Sequence, residues 1–116
     1  MVSTDTLPII QRTYDVYKAV IQLTGQMDKR WRYTLGARIE TSLLDLLREL
    51  LMAKHAPKSL KSGYLIRASS HHELTVLTLR LALELKLANP TKLLQIQSTL
   101  AEVGRMLGGW LRSLAP

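Results

Sequence analysis

The sequence predicts an all-α fold, an up-down-up-down bundle of four helices. Four segments of about 20 to 28 residues carry apolar side chains at helical spacing, and short stretches rich in Gly, Pro, Ser and Asn separate them. The chain of 116 residues is long enough for one hydrophobic core, so we expect a single domain over residues 1–116.

The first segment begins at Pro8, and proline suits a helix start because its missing amide hydrogen is not needed there. Two rows of apolar side chains follow at spacings of three and four: Ile10, Tyr14, Tyr17 and Ile21 in one, and Val16, Val20 and Leu23 in the other. These rows predict a first helix over about residues 7–26. The stretch GQMDKRWRYT, residues 25–34, has no clean apolar period and is expected to be a polar connection.

The second helix is predicted over about residues 33–55, because two rows of apolar residues run through it. They are Ile39, Leu43, Leu46, Leu50 and Ala53, and beside them Leu44, Leu47 and Leu51. Apolar residues over so broad a face indicate burial on more than one side. Pro57 ends this helix, and Ser59 or Ser62 is available to cap the next one.

The third segment contains LTLRLALELKL, residues 77–87, in which Leu alternates strictly with other residues as in a β-strand. Its residues are nevertheless strong helix formers, and no turn signal separates it from residues 64–76. We therefore predict a third helix over about residues 61–88, with Leu on nearly all sides. A lone bundle needs one inward row per helix, so the surplus apolar surface predicts a homo-oligomer.

The fourth helix is expected to begin at Pro90 and Thr91, after Asn89 takes a left-handed conformation that ends the third. An unbroken heptad seam runs through it: Leu93, Ile96, Leu100, Val103, Leu107, Trp110 and Leu114. The four helices and their short connections predict the bundle.

Glycines interrupt the end of this helix, in AEVGRMLGGW, although each costs roughly 0.5 to 1 kcal/mol relative to Ala. Gly104 and Gly108 lie one turn apart beside the seam and form a flat strip against which another helix can pack. That helix belongs either to the same bundle or to a neighbouring subunit. We expect Gly104, Gly108 and Trp110 to serve in helix packing or oligomer contacts; for Gly108 and Gly109 the alternative is a frayed helix end.

Positive charge is the main functional signal, since 16 Lys and Arg residues against 9 Asp and Glu give a net charge of +7. A polyanion is the expected partner of such a surface, and the alternative is a solvated basic bundle without an anionic ligand. Trp31, Tyr33 and Tyr64 lie next to cations, which would allow a base to stack beside a phosphate contact. The candidate binding residues are Lys29, Arg30, Arg32 and Arg38 at the entry to the second helix, Arg67 and Arg80 near one face of the third, and Arg105 and Arg112 on the outer face of the fourth.

One of these candidates, Arg80, has two interpretations. It lies inside the apolar run of the third helix and either faces a partner or pairs with Glu84 one turn away.

Catalysis is not expected, because the sequence has no Cys, no Gly-rich phosphate loop after a strand and no recognisable nucleophile arrangement. The HHE stretch at residues 71–73 lacks the spacing of helical metal ligands, so His71 and His72 are predicted to be polar surface residues. No cofactor or metal is expected. The sequence also lacks a secretion signal and an uncharged stretch of about 18 residues, so a cytoplasmic protein that does not enter the membrane is expected.

Three segments of the chain resemble a known family. The glycine-rich AEVGRMLGGW resembles the end of the last helix in the accessory variability determinant (Avd) family of diversity-generating retroelements. RYTLGARIETSLLDLL, residues 32–47, resembles its Arg-Tyr-x-Leu entry into the second helix, and LTLRLALELKL contains its Arg-Leu pair. The resemblance covers residues 7–114, and its most specific part is the Gly-Arg-x-Leu-Gly-Gly-Trp of the last helix.

The resemblance implies a barrel-shaped homopentamer with a basic surface that binds RNA and DNA and associates with a reverse transcriptase. In that system the polymerase copies a template RNA with errors, and the accessory protein assists it. The alternative within the same fold is a stand-alone interaction protein of the type encoded in intervening sequences of ribosomal RNA genes. A peripheral membrane protein is a weaker alternative, because no helix combines a purely basic face with Trp or Phe on the other.

Overall fold

A computed structural model describes residues 7–116 of the chain, and this part is helical without a strand. The elements are α1 (Pro8–Thr24), the short α2 (Lys29–Trp31), a π-helical turn (Arg32–Gly36), α3 (Ala37–His55), α4 (Lys58–Glu84) and α5 (Pro90–Ser113). The backbone stays helical from α2 through the π-helical turn into α3, so these three elements form one rod.

The resulting four rods pack in sequence order, α1 against α3, α3 against α4 and α4 against α5, and α5 closes the bundle against α1. Short connections reverse the chain direction each time, which makes the bundle up-down-up-down as the sequence predicted. The bundle measures 46 × 31 × 21 Å.

The core takes one face of each rod. Along α5 the predicted seam is confirmed from Leu93 to Leu107, whose seam residues are all at most 6% exposed, while Trp110 is partly buried. In α3 the row from Ile39 to Ala53 is fully buried. In α1 the row of Val16, Val20 and Leu23 is the buried one, and Tyr14 and Ile21 of the other predicted row are half exposed.

The second rod begins earlier than predicted, so the polar connection contracts to residues 25–28. Asp28 is the reason, because its side chain accepts a hydrogen bond of 2.9 Å from the Arg30 amide and caps the new helix. Met27 is buried and Trp31 packs against the core, so both side chains anchor the start of α2 on the bundle.

The ends of α4 also differ from the prediction. Its N-cap is Pro57 without a side-chain hydrogen bond, so neither Ser59 nor Ser62 caps it. At the other end Lys86 takes the left-handed conformation, with φ of 56°. Asn89 instead caps α5, accepting a hydrogen bond of 3.1 Å from the Lys92 amide.

Two of the three residues in the second Leu row of α3, and several Leu residues of α4, lie on the surface of the bundle, whereas Leu47 of that row packs against the core. Leu44 and Leu51 are 51% and 44% exposed. On α4 the exposed apolar residues include Leu74, Leu77, Leu81 and Leu85. A single copy therefore has more apolar surface than its own core covers, as the sequence indicated.

Candidate nucleic-acid interface

Four predicted cations meet where the second rod begins. Lys29 and Arg30 lie on α2, Arg32 in the π-helical turn and Arg38 in the first turn of α3. Lys29, Arg30 and Arg38 are exposed, and the Arg30 guanidinium lies 5.1 Å from the centroid of the Trp31 ring. The predicted proximity of cation and aromatic ring is thus present at this end of the bundle.

Arg32 differs from its neighbours because the protein uses part of its side chain. Its Nη1 donates to the carbonyl oxygen of Gly25 at 3.2 Å, and its Nη2 donates to the Tyr33 hydroxyl at 3.4 Å. The guanidinium lies 5.0 Å from the centroid of the Tyr33 ring, and its buried Nε has no hydrogen-bond partner among the described residues. Arg32 therefore orients Tyr33, which is 65% exposed.

The π-helical turn is packed tightly against the end of α1. A Cβ placed on Gly36 would lie 3.4 Å from Thr24 Cβ at the end of α1, and 3.3 Å from both Met27 Sδ and the carbonyl oxygen of Trp31. Glycine therefore allows the wider turn to approach α1 closely. Such turns occur frequently at functional sites, and this one carries the cation-aromatic cluster.

A groove of about 720 Å³ runs from this cluster down the outside of the bundle, between α3 and α4. One wall combines Tyr33 and Thr34 of the π-helical turn with Arg38, Thr41 and Asp45 of α3, and the α4 wall includes His71, Leu74 and Thr78. The one carboxylate of these walls, that of Asp45, is paired with Arg48 at 2.6 Å.

The α4 wall was not part of the sequence prediction. His71 and Thr78 come to the groove through the register of α4 on α3, which the buried hydrogen bond between Ser42 and Thr75 illustrates at 2.8 Å. No local pattern in α4 signals this placement.

The two predicted cations of α4 are separated, contrary to the prediction of one face. Each residue turns an α-helix by about 100°, so a separation of 13 residues places Arg67 and Arg80 about 140° apart around the axis of α4. Arg67 pairs with Glu49 at 2.7 Å and lies 4.8 Å from the centroid of the Tyr64 ring. Arg80 lies 4.0 Å from Glu84, and both side chains of this loose pair are about two-thirds exposed.

On α5, Arg105 and Arg112 are exposed, and neither pairs with a carboxylate of residues 7–116. Beside them, Gly104 faces α4, where a Cβ would collide with His72. A Cβ on Gly108 or Gly109 would meet only the Arg112 side chain, so the helix predicted to pack on Gly108 is not found within the described bundle.

His72 corrects another prediction. Its ring is partly buried between α4 and α5, where Nε2 donates to the carbonyl oxygen of Leu100 at 2.6 Å, rather than lying on the polar surface. No local pattern predicts this contact, because Leu100 lies on another helix, 28 residues along the chain.

Residues 7–116 contain no group of three or more His, Cys, Asp or Glu side chains placed to hold a metal ion. None of the helices described is long and apolar enough to cross a membrane.

Fold and surface together define a basic four-helix bundle that presents cations, aromatic rings and apolar faces, the features of a binding protein. The family model described as bAvd-like matches residues 7–114, and the chain belongs to this family. It is thus, at the level of the family, an accessory protein of diversity-generating retroelements, and such proteins are in general not catalytic. No curated protein matches the chain.

Proposed function

We propose that the protein assists mutagenic retrohoming by binding nucleic acid, as template RNA or cDNA, together with the reverse transcriptase of its retroelement. The polymerase performs the chemistry in this proposal. The accessory protein supplies a basic surface that holds the nucleic acid near it.

The observation that carries the proposal is the set of cations without acidic partners. Of 16 Lys and Arg residues, four form ion pairs with carboxylates of the described part of the chain. The cluster of Lys29, Arg30 and Arg38 is exposed and lies outside these pairs. Uncompensated charge of this density attracts phosphate and raises the rate of association.

The functional unit in this proposal is a homo-oligomer, a pentamer, whose copies meet through the exposed apolar surfaces. One such surface lines a groove between α1 and α3, where Tyr14, Leu44 and Leu51 lie. A second one follows α4 at Leu77, Leu81 and Leu85. Two different surfaces on one chain favour head-to-tail contacts, which form a ring when the rotation between copies closes. A ring would also multiply the positive charge.

Salt-dependent RNA binding tests the electrostatic part of the proposal. The logarithm of the association constant should fall linearly with the logarithm of the salt concentration, and each phosphate contact contributes a slope of about −0.7 on single strands. The double variant Arg30→Gln and Arg38→Gln should make this slope shallower, because it removes two phosphate contacts. Arg12→Gln is the matched control, because Arg12 pairs with Glu102 at 3.4 Å. A flat salt response of the parent protein contradicts the proposal.

The polymerase part needs a separate test, in which the protein is co-expressed with the reverse transcriptase encoded beside its gene. Co-purification after nuclease treatment is expected. The absence of a neighbouring reverse transcriptase gene, or of any complex, would favour a stand-alone interaction protein.

A further inference from the structure

We infer that the groove between α3 and α4 binds single-stranded nucleic acid, with one base stacked on Tyr33 and an adjacent phosphate against Arg38. This inference rests on the proposed function, since it names the form of nucleic acid and the place where it binds.

Tyr33 provides the stacking surface. Its ring is the most exposed large hydrophobic side chain described, at 65%, yet Arg32 holds it through the hydroxyl and covers one face. Tyr33 lines the end of the groove nearest the π-helical turn, and most of its surface is open to solvent. An aromatic ring fixed in this way offers a base a flat surface without a large loss of side-chain freedom.

Arg38 provides the charge. It lies on the same wall of the groove, is exposed, and pairs with no carboxylate of residues 7–116. The negative charge of Asp45, farther along the groove, is offset by Arg48. The end near Tyr33 is therefore the part of the groove that suits a phosphate.

Threonine hydroxyls in the walls suit the edge of a base. Thr34, Thr41 and Thr78 each donate to a carbonyl oxygen of their own helix, at 2.7, 2.9 and 2.9 Å. A hydroxyl whose hydrogen is engaged can still accept, so these oxygens can receive hydrogen bonds from the amino groups of bases. Leu74 and the Tyr33 ring add apolar surface for the flat faces of bases.

A single strand fits this arrangement better than a duplex. Its bases can unstack and turn toward an aromatic ring, whereas the bases of a duplex are paired and stacked inside it. A duplex would meet the cations alone.

The test compares a mixed-sequence single-stranded RNA with the same RNA as a duplex, by fluorescence anisotropy over a series of salt concentrations. Tyr33→Leu keeps an apolar side chain but removes the ring, and it should weaken single-strand binding about tenfold at every salt concentration, with the slope unchanged. Duplex binding should not change. Tyr33→Phe keeps the ring but loses the hydroxyl that Arg32 holds, so it should retain most of the single-strand affinity. Arg38→Gln should make the slope shallower.

Tyr14→Leu is the matched control, because Tyr14 is also an exposed tyrosine but lies outside the groove, and it should bind RNA like the parent. Circular dichroism and mass by light scattering are recorded for each variant. The inference is overturned if Tyr33→Leu binds single strands as well as the parent, or weakens both RNA forms equally. It is also overturned if Tyr33→Leu changes the mass, since the groove would then lie between copies of the chain. Failure of the parent to bind either RNA would instead contradict the proposed function.

Discussion

The imidazole of His72 occupies the space that a side chain at position 104 would fill. A Cβ placed on Gly104 would lie 2.8 Å from His72 Cε1. The ring cannot easily withdraw, because its Nε2 donates to the carbonyl oxygen of Leu100. The close packing of α4 against α5 at Gly104 therefore offsets the lower helix propensity of glycine relative to alanine.

Gly104→Ala is expected to lower the free energy of unfolding by about 1 kcal/mol. Overpacking costs about 1 to 3 kcal/mol, and the better helix propensity of alanine returns about 1 kcal/mol of it. Urea denaturation measures the difference. In a His72→Ala background the same substitution should become stabilising. A double-mutant cycle that shows no coupling energy between positions 72 and 104 would contradict the contact.

Gly108→Ala should act in the opposite direction and raise the free energy of unfolding by about 0.5 to 1 kcal/mol. The new Cβ would meet only the flexible end of Arg112, at 3.3 Å from Nη1. Thermal and urea denaturation provide the measurement, and light scattering provides the control. A loss of mass would show that Gly108 is a contact between copies and that the expected gain is wrong.

Arg67→Met is expected to destabilise the fold by about 1 kcal/mol, because the Glu49 side chain is only 12% exposed and would lose its cation. Arg80→Met is the control on the same helix. Its pair with Glu84 is exposed and 4.0 Å long, so its effect should stay within about 0.5 kcal/mol. Equal effects of the two substitutions on chemical denaturation would argue against a structural role of Arg67.

Lys61→Met should lower the free energy of unfolding by about 1 kcal/mol, since Lys61 satisfies the C-terminal end of α3. Its Nζ donates to the carbonyl oxygens of Ala53 and Lys54, at 2.6 and 3.1 Å. Lys58→Met removes an exposed cation near the start of the same helix and should leave stability nearly unchanged. If the denaturation curves of Lys61→Met and Lys58→Met shift equally, the effect comes from the loss of a positive charge and not from the hydrogen bonds of Lys61.

Leu44→Asp is expected to reduce the mass measured by light scattering while the circular dichroism of the helices is retained. Leu44 is 51% exposed and lines the apolar groove between α1 and α3, so a charge there opposes association without disturbing the core. Leu94→Asp is the control, because Leu94 is 57% exposed on α5, away from that groove. An unchanged mass for Leu44→Asp would exclude this surface from the oligomer contact.

Much of the fold follows from spacing within a few residues along the chain. The heptad seam of α5 and the row from Ile39 to Ala53 identify buried faces without any partner helix. Apolar residues repeated at the helical period of 3.6 are enough to mark the face that becomes buried. Breaks at Pro57 and Pro90 are equally local. The excess of cations, and their concentration near residue 30, are also properties of the sequence alone.

Tertiary packing decided which residues meet. It selected Val16 over Tyr14 as core in α1, brought Arg67 to Glu49 across 18 residues, and placed His72 on Leu100 across 28. It also set α4 beside Tyr33 and Arg38, which creates the groove. The physical reason is that local spacing determines which face of a helix is apolar, whereas the rotation and register of one helix on another depend on how distant side chains interdigitate.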